Sequence, residues 1–138
     1  MISELKKEDY QEYITLINNF RECNISKDEF INILEKIKIN GNIYIYKIDN
    51  KIAGTISLLL EQKFSHNGAI YGYIEDLFVA ETYRNLGIGS KLISFVIEKA
   101  RKIKKCRIIK LNSNLQLIKF YKKKNFEKYG YTMYLKIN

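Results

Sequence analysis

Proline and tryptophan are absent from this chain of 138 residues, histidine occurs once and cysteine twice. Each shortage excludes something. Without proline the usual boundary markers are missing, and no linker, repeat or low-complexity segment stands in for them. Cys23 and Cys106 lie far apart and in no CxxC pair, which excludes a disulfide scaffold. One histidine and two cysteines cannot build a Cys/His zinc cage, so no metal is expected. No run of 18 apolar residues exists, so no membrane span is expected. Residues Met1–Lys7 lack an apolar core of signal-peptide length. The expected compartment is a reducing cytoplasm.

Arginine is also scarce. It supplies 4 of the 24 basic residues, and lysine supplies 20. The net charge of +9 fits a polyanionic partner such as nucleic acid, anionic lipid or a phosphorylated small molecule. The excess of Lys, Asn and Ile also matches AT-rich codon usage, which we take as the source of most of the charge. Arginine, the better reader of bases and phosphates, is the residue in short supply. No RRM, KH or helix-turn-helix signature appears, so a nucleic-acid partner is not expected. What the chain has in plenty is apolar surface: 23 Ile, 11 Tyr and 7 Phe. That excludes disorder and allows one domain, residues 1–138, with a sizeable core.

The periodicities predict an α/β fold. Tyr10, Tyr13, Ile14, Ile17 and Phe20 form one helical face within residues 6–20. Ser26 to Glu29 reads as a capping box before a second helix, with Gly41 marking its end. Residues 43–48 suit a strand, Asp49-Asn50 a hairpin turn, and residues 51–61 and about 70–80 two further strands. Residues 88–104 are helical by spacing, 106–112 a strand, 114–124 a short helix, and 126–137 are expected to close the sheet as strands. A strand–helix–strand unit from 70 to 112 implies a parallel pair through a right-handed crossover. The expected architecture is a mixed, mostly antiparallel sheet with a central splayed parallel pair, flanked by helices.

The segment that carries chemistry runs from Ile74-Glu75-Asp76-Leu77-Phe78-Val79 into Arg84-Asn85-Leu86-Gly87-Ile88-Gly89-Ser90. A strand enters a two-glycine turn and then an apolar-faced helix. Glycine lets the backbone approach a ligand, and the free amides and dipole of a helix start favour an anion. Arg84 adds a formal charge. In physical terms this is a pyrophosphate cradle. The spacing is neither a Walker loop nor the Rossmann fingerprint.

The order Arg84-x-x-Gly87-x-Gly89 between strand and helix resembles the coenzyme A loop of GCN5-related N-acetyltransferases (the GNAT superfamily). Asn114 to Phe126, with Phe120-Tyr121 inside it, resembles that superfamily's second signature. Within the superfamily, Glu61 to His66 followed by Gly72 to Asp76 resembles the glucosamine-6-phosphate N-acetyltransferases, as do the capping-box helix and the lysine run after Tyr121. The resemblance covers about Ile43 to the end. It implies a homodimeric enzyme that moves acetyl from acetyl-CoA to the amine of D-glucosamine 6-phosphate, on the route to UDP-N-acetylglucosamine. It gives the amides of Leu77 and Val79, with Phe78 between them, to the thioester and pantetheine. It gives Arg84 to Ser90 to the pyrophosphate, and Asn114 to pantetheine.

The resemblance also makes Tyr121 the phenol that hydrogen-bonds the departing thiolate, a role suited to a group protonated at neutral pH. Glu75 and Asp76 would bind the sugar and orient the amine, and either suits proton removal through water. As strand neighbours they should face opposite sides, so at most one points into the cleft. Lys63 and His66 would share a phosphate or sugar contact, and Lys136 would meet the phosphate, from this chain or from a partner subunit. The carbonyl of Asn112 would lie near the amine. Plainer roles stand beside these: Tyr121 as a core tyrosine, His66 as a loop residue, Lys136 as a solvated terminus, Asn114 as an N-cap. Phe20 and Arg21 replace the family's hydroxyl region, Asn112 its acidic residue, Leu117 its asparagine and Asn125 its glycine. Other amines, a sensor without turnover and a basic nucleic-acid module are the competing readings.

Overall fold

Two apolar faces on one sheet decide the architecture. The computed structural model describes residues Met1–Asn138. In chain order it has β1 (Ile2–Glu4), α1 (Tyr10–Asn18), α2 (Lys27–Ile39), β2 (Gly41–Ile48), β3 (Lys51–Gln62), the single turn α3 (Ser65–Gly68), β4 (Ile70–Val79), α4 (Ile88–Arg101), β5 (Cys106–Leu111) and α5 (Ile118–Lys122). The strands lie in the order β1-β2-β3-β4-β5. All neighbours are antiparallel except β4 and β5, which are parallel through the α4 crossover.

Alternate strand residues point to opposite sides. On one side Ile43, Ile45, Ile52 and Phe78 meet Tyr13 and Leu16 of α1 and Phe30 and Leu34 of α2. On the other, Tyr44, Ile56, Leu58 and Ile74 meet Leu92, Ile93 and Val96 of α4, together with Tyr121 of α5. No helix is long and apolar enough to cross a membrane.

Local chemistry explains the joints. Ser26 Oγ accepts from the Glu29 amide at 3.1 Å and starts α2. Asp49 and Asn50 both take positive φ, 48° and 63°, as the tight hairpin between β2 and β3 requires. Gly41 marks the end of α2 as expected, but without a left-handed φ. Asn40 caps the helix and Gly41 opens β2. Glycine is needed there because a Cβ would lie 2.4 Å from the Leu58 carbonyl oxygen of the neighbouring strand. Lys124 Nζ donates to Ser94 Oγ at 2.8 Å, so one member of the basic run fastens the α5 end to α4 rather than simply facing solvent.

The expected closing strands over 126–137 do not form. The residues after Phe126 join no ladder, so the parallel pair sits at one edge of five strands rather than at the centre of the sheet. Their side chains remain outside the core: Tyr131, Met133, Tyr134 and Ile137 are exposed. They leave the outer edge of β5 without a strand beside it. Only the Thr132 hydroxyl, donating to Asn112 Oδ1 at 2.6 Å, and Tyr129, whose ring lies 5.5 Å from Lys110 Nζ, touch the β5 end.

Candidate active site

The site is built on a break in β4. Thr55 of β3 pairs with Phe78, and Ser57 with Glu75. The single residue Ile56 therefore faces both Asp76 and Leu77, which makes a bulge. Asp76 takes a left-handed φ of 49° inside the strand. The parallel ladder to β5 stops at Ile74–Leu111. From Asp76 to Val79 the side of β4 that faced β5 thus has no strand beside it, and a wedge opens between the two strands. Backbone amides on that side are free to donate to a ligand.

At the mouth of the wedge the chain turns into α4. Asn85 and Gly87 are both left-handed, at 66° and 77°. A Cβ at Gly87 would meet nothing within 4 Å, so the backbone here is open to a ligand. Ile88 is buried and anchors the turn, while Leu86 stays exposed. The Lys91 amide already bonds to the Gly87 carbonyl at 3.0 Å, which leaves the amides of Ile88, Gly89 and Ser90 without a partner in the helix. Arg84 Nε donates to the Val79 carbonyl at 3.1 Å, so the guanidinium is tied to the end of β4. This geometry suits a pyrophosphate and fits the coenzyme the sequence implies.

Tyr121 comes from α5 on the same side of the sheet. Its ring is buried between the edges of Phe120 and Phe126, with centroids 5.0 and 5.9 Å away. Its hydroxyl makes no hydrogen bond within the chain, yet no fully buried polar side-chain atom lacks a partner. The hydroxyl oxygen therefore reaches an accessible surface. Burial pushes its pKa up, so the phenol keeps its proton at neutral pH. Asn114 Oδ1 accepts from the Leu117 amide at 3.1 Å and caps the short turn that leads into α5.

The bulge breaks the strand alternation at Asp76, so the expected opposite facing of the two carboxylates does not carry over. Glu75 shares a face with Tyr71 and Tyr73 and is half-buried, and Asp76 at the bulge is exposed. Burial, followed by the charge of Asp76, raises the Glu75 pKa above the usual carboxylate range. The charge of Asp76 also reaches Tyr13 of α1, where it adds to the burial that raises the phenol's pKa.

Lys63 and His66 are brought together around Tyr71. Lys63 Nζ lies 5.3 Å from the Tyr71 ring centroid, and the His66 ring stacks on it at 6.4 Å. Lys63 is also ion-paired with Glu61. Two site residues are not brought in by this chain. Lys136 sits in the exposed C-terminal segment and makes no ion pair. The Phe78 side chain turns to the opposite core, so only its backbone belongs to the wedge. The Asn112 side chain is engaged by Thr132.

The sequence reading missed a stack beneath the bulge. Phe20 packs on Phe78 at 4.7 Å, with the Arg21 guanidinium 5.1 Å from Phe20 and that of Arg84 5.8 Å from Phe78. The departure at Phe20 and Arg21 was the signal for it. It also missed Lys110, whose ammonium lies 5.2 Å from Tyr71. The period-two pairing of β4 and β5 could have placed it there.

With this geometry in place, the comparisons with known proteins can be read. A family model described as "Acetyltransferase (GNAT) family" matches residues 3–126. The chain belongs to that family and is an acetyl-CoA-dependent N-acetyltransferase. It is 32% identical over 129 residues to "Glucosamine 6-phosphate N-acetyltransferase 1" of Dictyostelium discoideum, covering 88% of this chain and 80% of the relative. It is 31% identical over 126 residues to a Drosophila melanogaster protein named "Probable glucosamine 6-phosphate N-acetyltransferase". That match covers 87% of this chain but spans only 57% of the relative's length. The crystal structure of glucosamine-6-phosphate N-acetyltransferase from Arabidopsis thaliana superimposes with a TM-score of 0.93 at 23% identity, covering 100% of this chain and 98% of the other; it shares the fold.

Two outcomes follow from the bulge. Asp76→Val should lower the unfolding free energy by about 1–2 kcal/mol, because a β-branched residue resists left-handed backbone. Asp76→Asn and Asp76→Gly should unfold near the wild-type denaturant midpoint, and identical midpoints for all three variants would remove the strain from the account. For Glu75, a raised folded-state pKa means that the folded protein holds the proton more tightly than the unfolded chain. The carboxylate then opposes folding above the folded-state pKa and does not oppose it below the unfolded one. Glu75→Gln should therefore raise the melting temperature at pH 7 and lose that gain near pH 4. A gain that persists at pH 4 would contradict the assignment.

Proposed function

We propose that the chain transfers acetyl from acetyl-CoA to the amine of D-glucosamine 6-phosphate, giving N-acetylglucosamine 6-phosphate for UDP-N-acetylglucosamine synthesis in the cytoplasm. The observation that carries this reading is a juxtaposition on β4. The open wedge and cradle at one end adjoin a half-buried carboxylate, and a cationic aromatic cluster lies at the other end of the same face. The names of the relatives support the same acceptor.

The chemistry is a direct transfer with both substrates bound. The amine nitrogen forms the new C–N bond and the thioester C–S bond breaks. The amine's proton leaves through water to Glu75 or Asp76, and the departing thiolate takes a proton from the Tyr121 hydroxyl. Backbone amides at Leu77 and Val79 polarise the acetyl carbonyl. The turn from Arg84 to Ser90 holds the pyrophosphate, and Asn114 borders the pantetheine arm. Lys63 and His66 face the acceptor's phosphate, and the Asn112 carbonyl lies toward the amine.

A second copy completes the molecule. The exposed tyrosines and aliphatic side chains after Phe126, beside the free edge of β5, form an apolar surface that this chain leaves uncovered. Lys136 would then serve the partner's phosphate site. Light scattering should give twice the 16.4 kDa chain mass, and a chain shortened after Phe126 should give the single mass. A full-length monomer would overturn the dimer.

Thiol release from acetyl-CoA tests the reaction. Glucosamine 6-phosphate should be turned over much faster than glucosamine, spermidine or a lysine peptide. Tyr121→Phe should lower kcat by about tenfold or more while changing KM for acetyl-CoA little. Release with another amine alone would replace the acceptor, and unchanged turnover in the variant would remove Tyr121 from the mechanism.

A further inference from the structure

We propose that the chain carries a second ligand site, remote from the coenzyme cradle: a groove between the last turns of α2 and α4 that binds a medium-chain carboxylate, its head at Lys38 and Lys99 and its apolar body on the sheet. The site does not rest on the acceptor reading above. The groove encloses about 440 Å³, inside the range of about 300–1,000 Å³ that small-molecule sites occupy. Its floor is the margin of the core on the α4 side. Tyr44 and Leu58 are buried there, and Leu60, Ile70 and Ile103 remain half-buried with nothing packed over them but the groove. That is the apolar bed a hydrocarbon body needs.

The polar groups at its rim select an anion. Tyr44 is only 6% exposed, yet its hydroxyl makes no hydrogen bond within the chain. No fully buried polar side-chain atom lacks a partner, so this oxygen is the part of the side chain that reaches the groove. Burial, and then the charge of Glu4 on the adjoining β1, push its pKa up, so it stays a donor at neutral pH. The Phe95 ring stands edge-on to Tyr44 at 5.1 Å, and Lys99 Nζ lies 5.3 Å from the Phe95 centroid. An ammonium is thereby held near the hydroxyl. Lys38 lines the rim from α2. Neither lysine has an ion pair, and no carboxylate lines the groove. Asn42 Oδ1 already accepts from the Ile43 amide at 2.9 Å, which leaves the Asn42 side chain its N–H groups to offer. Glu4 offsets one of the two lysines at most. An anionic head would take the donors that the chain leaves unused. A cation would be repelled, and a neutral ligand would leave both ammonium groups unpaired.

The groove is separate from the reacting end. Lys99 follows Ile88 by about 11 residues, or about 16 Å along α4. Groove and cradle therefore sit at opposite ends of one helix, and a ligand in the groove does not overlap a coenzyme held by the amides of Ile88, Gly89 and Ser90.

Calorimetry with decanoate, below its micelle concentration and with coenzyme A in excess, tests the site. One saturable site should appear. Lys38→Glu and Lys99→Glu should each weaken it about tenfold or more, the size of one charge-assisted hydrogen bond. Tyr44→Phe keeps the ring, deletes only the hydroxyl and should weaken binding severalfold. Decanol should bind at least about tenfold more weakly than decanoate, and decylamine more weakly still. No saturable binding, equal binding of decanol or decylamine, or any of the three variants binding decanoate like the wild type would overturn the proposal. So would binding that is seen only without coenzyme A, since that places the anion in the cradle. Matching thermal melts of the variants exclude unfolding as the cause.

Discussion

One extra residue in β4 organises the rest of this molecule. Because Asp76 and Leu77 together face Ile56, the strand bends where its parallel partner ends. The bend opens a wedge whose backbone has no neighbour, and the same strand then runs directly into the turn that starts α4. An uninterrupted β4 paired along its length to β5 would have satisfied those backbone groups and left nothing for a ligand. The left-handed backbone at Asp76 is the cost of that opening, and the packed cores on both sides of the sheet sustain it.

The two cores divide the labour. α4, locked by Leu92, Ile93 and Val96, aims its free amides at the wedge and sets Tyr121 beside it. On the opposite side α1 and α2 cover β2, β3 and the end of β4 at Phe78. That leaves the β4–β5 face to polar and aromatic residues: Tyr71, Tyr73, Glu75 and Lys110. A donor site and an acceptor site can therefore lie on the two sides of one strand, meeting where it bends. The aromatic pair Phe20–Phe78, flanked by Arg21 and Arg84, joins the α1–α2 turn to the end of that strand.

Burial shifts two groups at the meeting point in the directions that the proposed transfer uses. It raises Tyr121, which keeps a proton to give, and raises Glu75, which makes its carboxylate a stronger base than an exposed one. These shifts depend on packing from α5 and from the sheet, and neither is visible in local sequence.

Much of the framework was legible in the linear chain. Period-two and period-3.6 patterns placed the principal strands and helices. Asp49-Asn50 announced the hairpin, Ser26 and Asn114 announced their caps, and the glycine spacing from Arg84 announced the cradle, because each of these depends on a few neighbouring residues. Gly41 marked the end of α2, but its need arises from Leu58 across the sheet and not from the helix before it. The tail after Phe126 misled: its composition is that of a strand, but a strand forms only where a free edge in the right place receives it. Asp76's conformation, the turn of Phe78 into the far core and the meeting of Lys63 with Lys110 over Tyr71 came only with the tertiary structure. Each joins residues from different elements, and only strand register and packing set the distance between them.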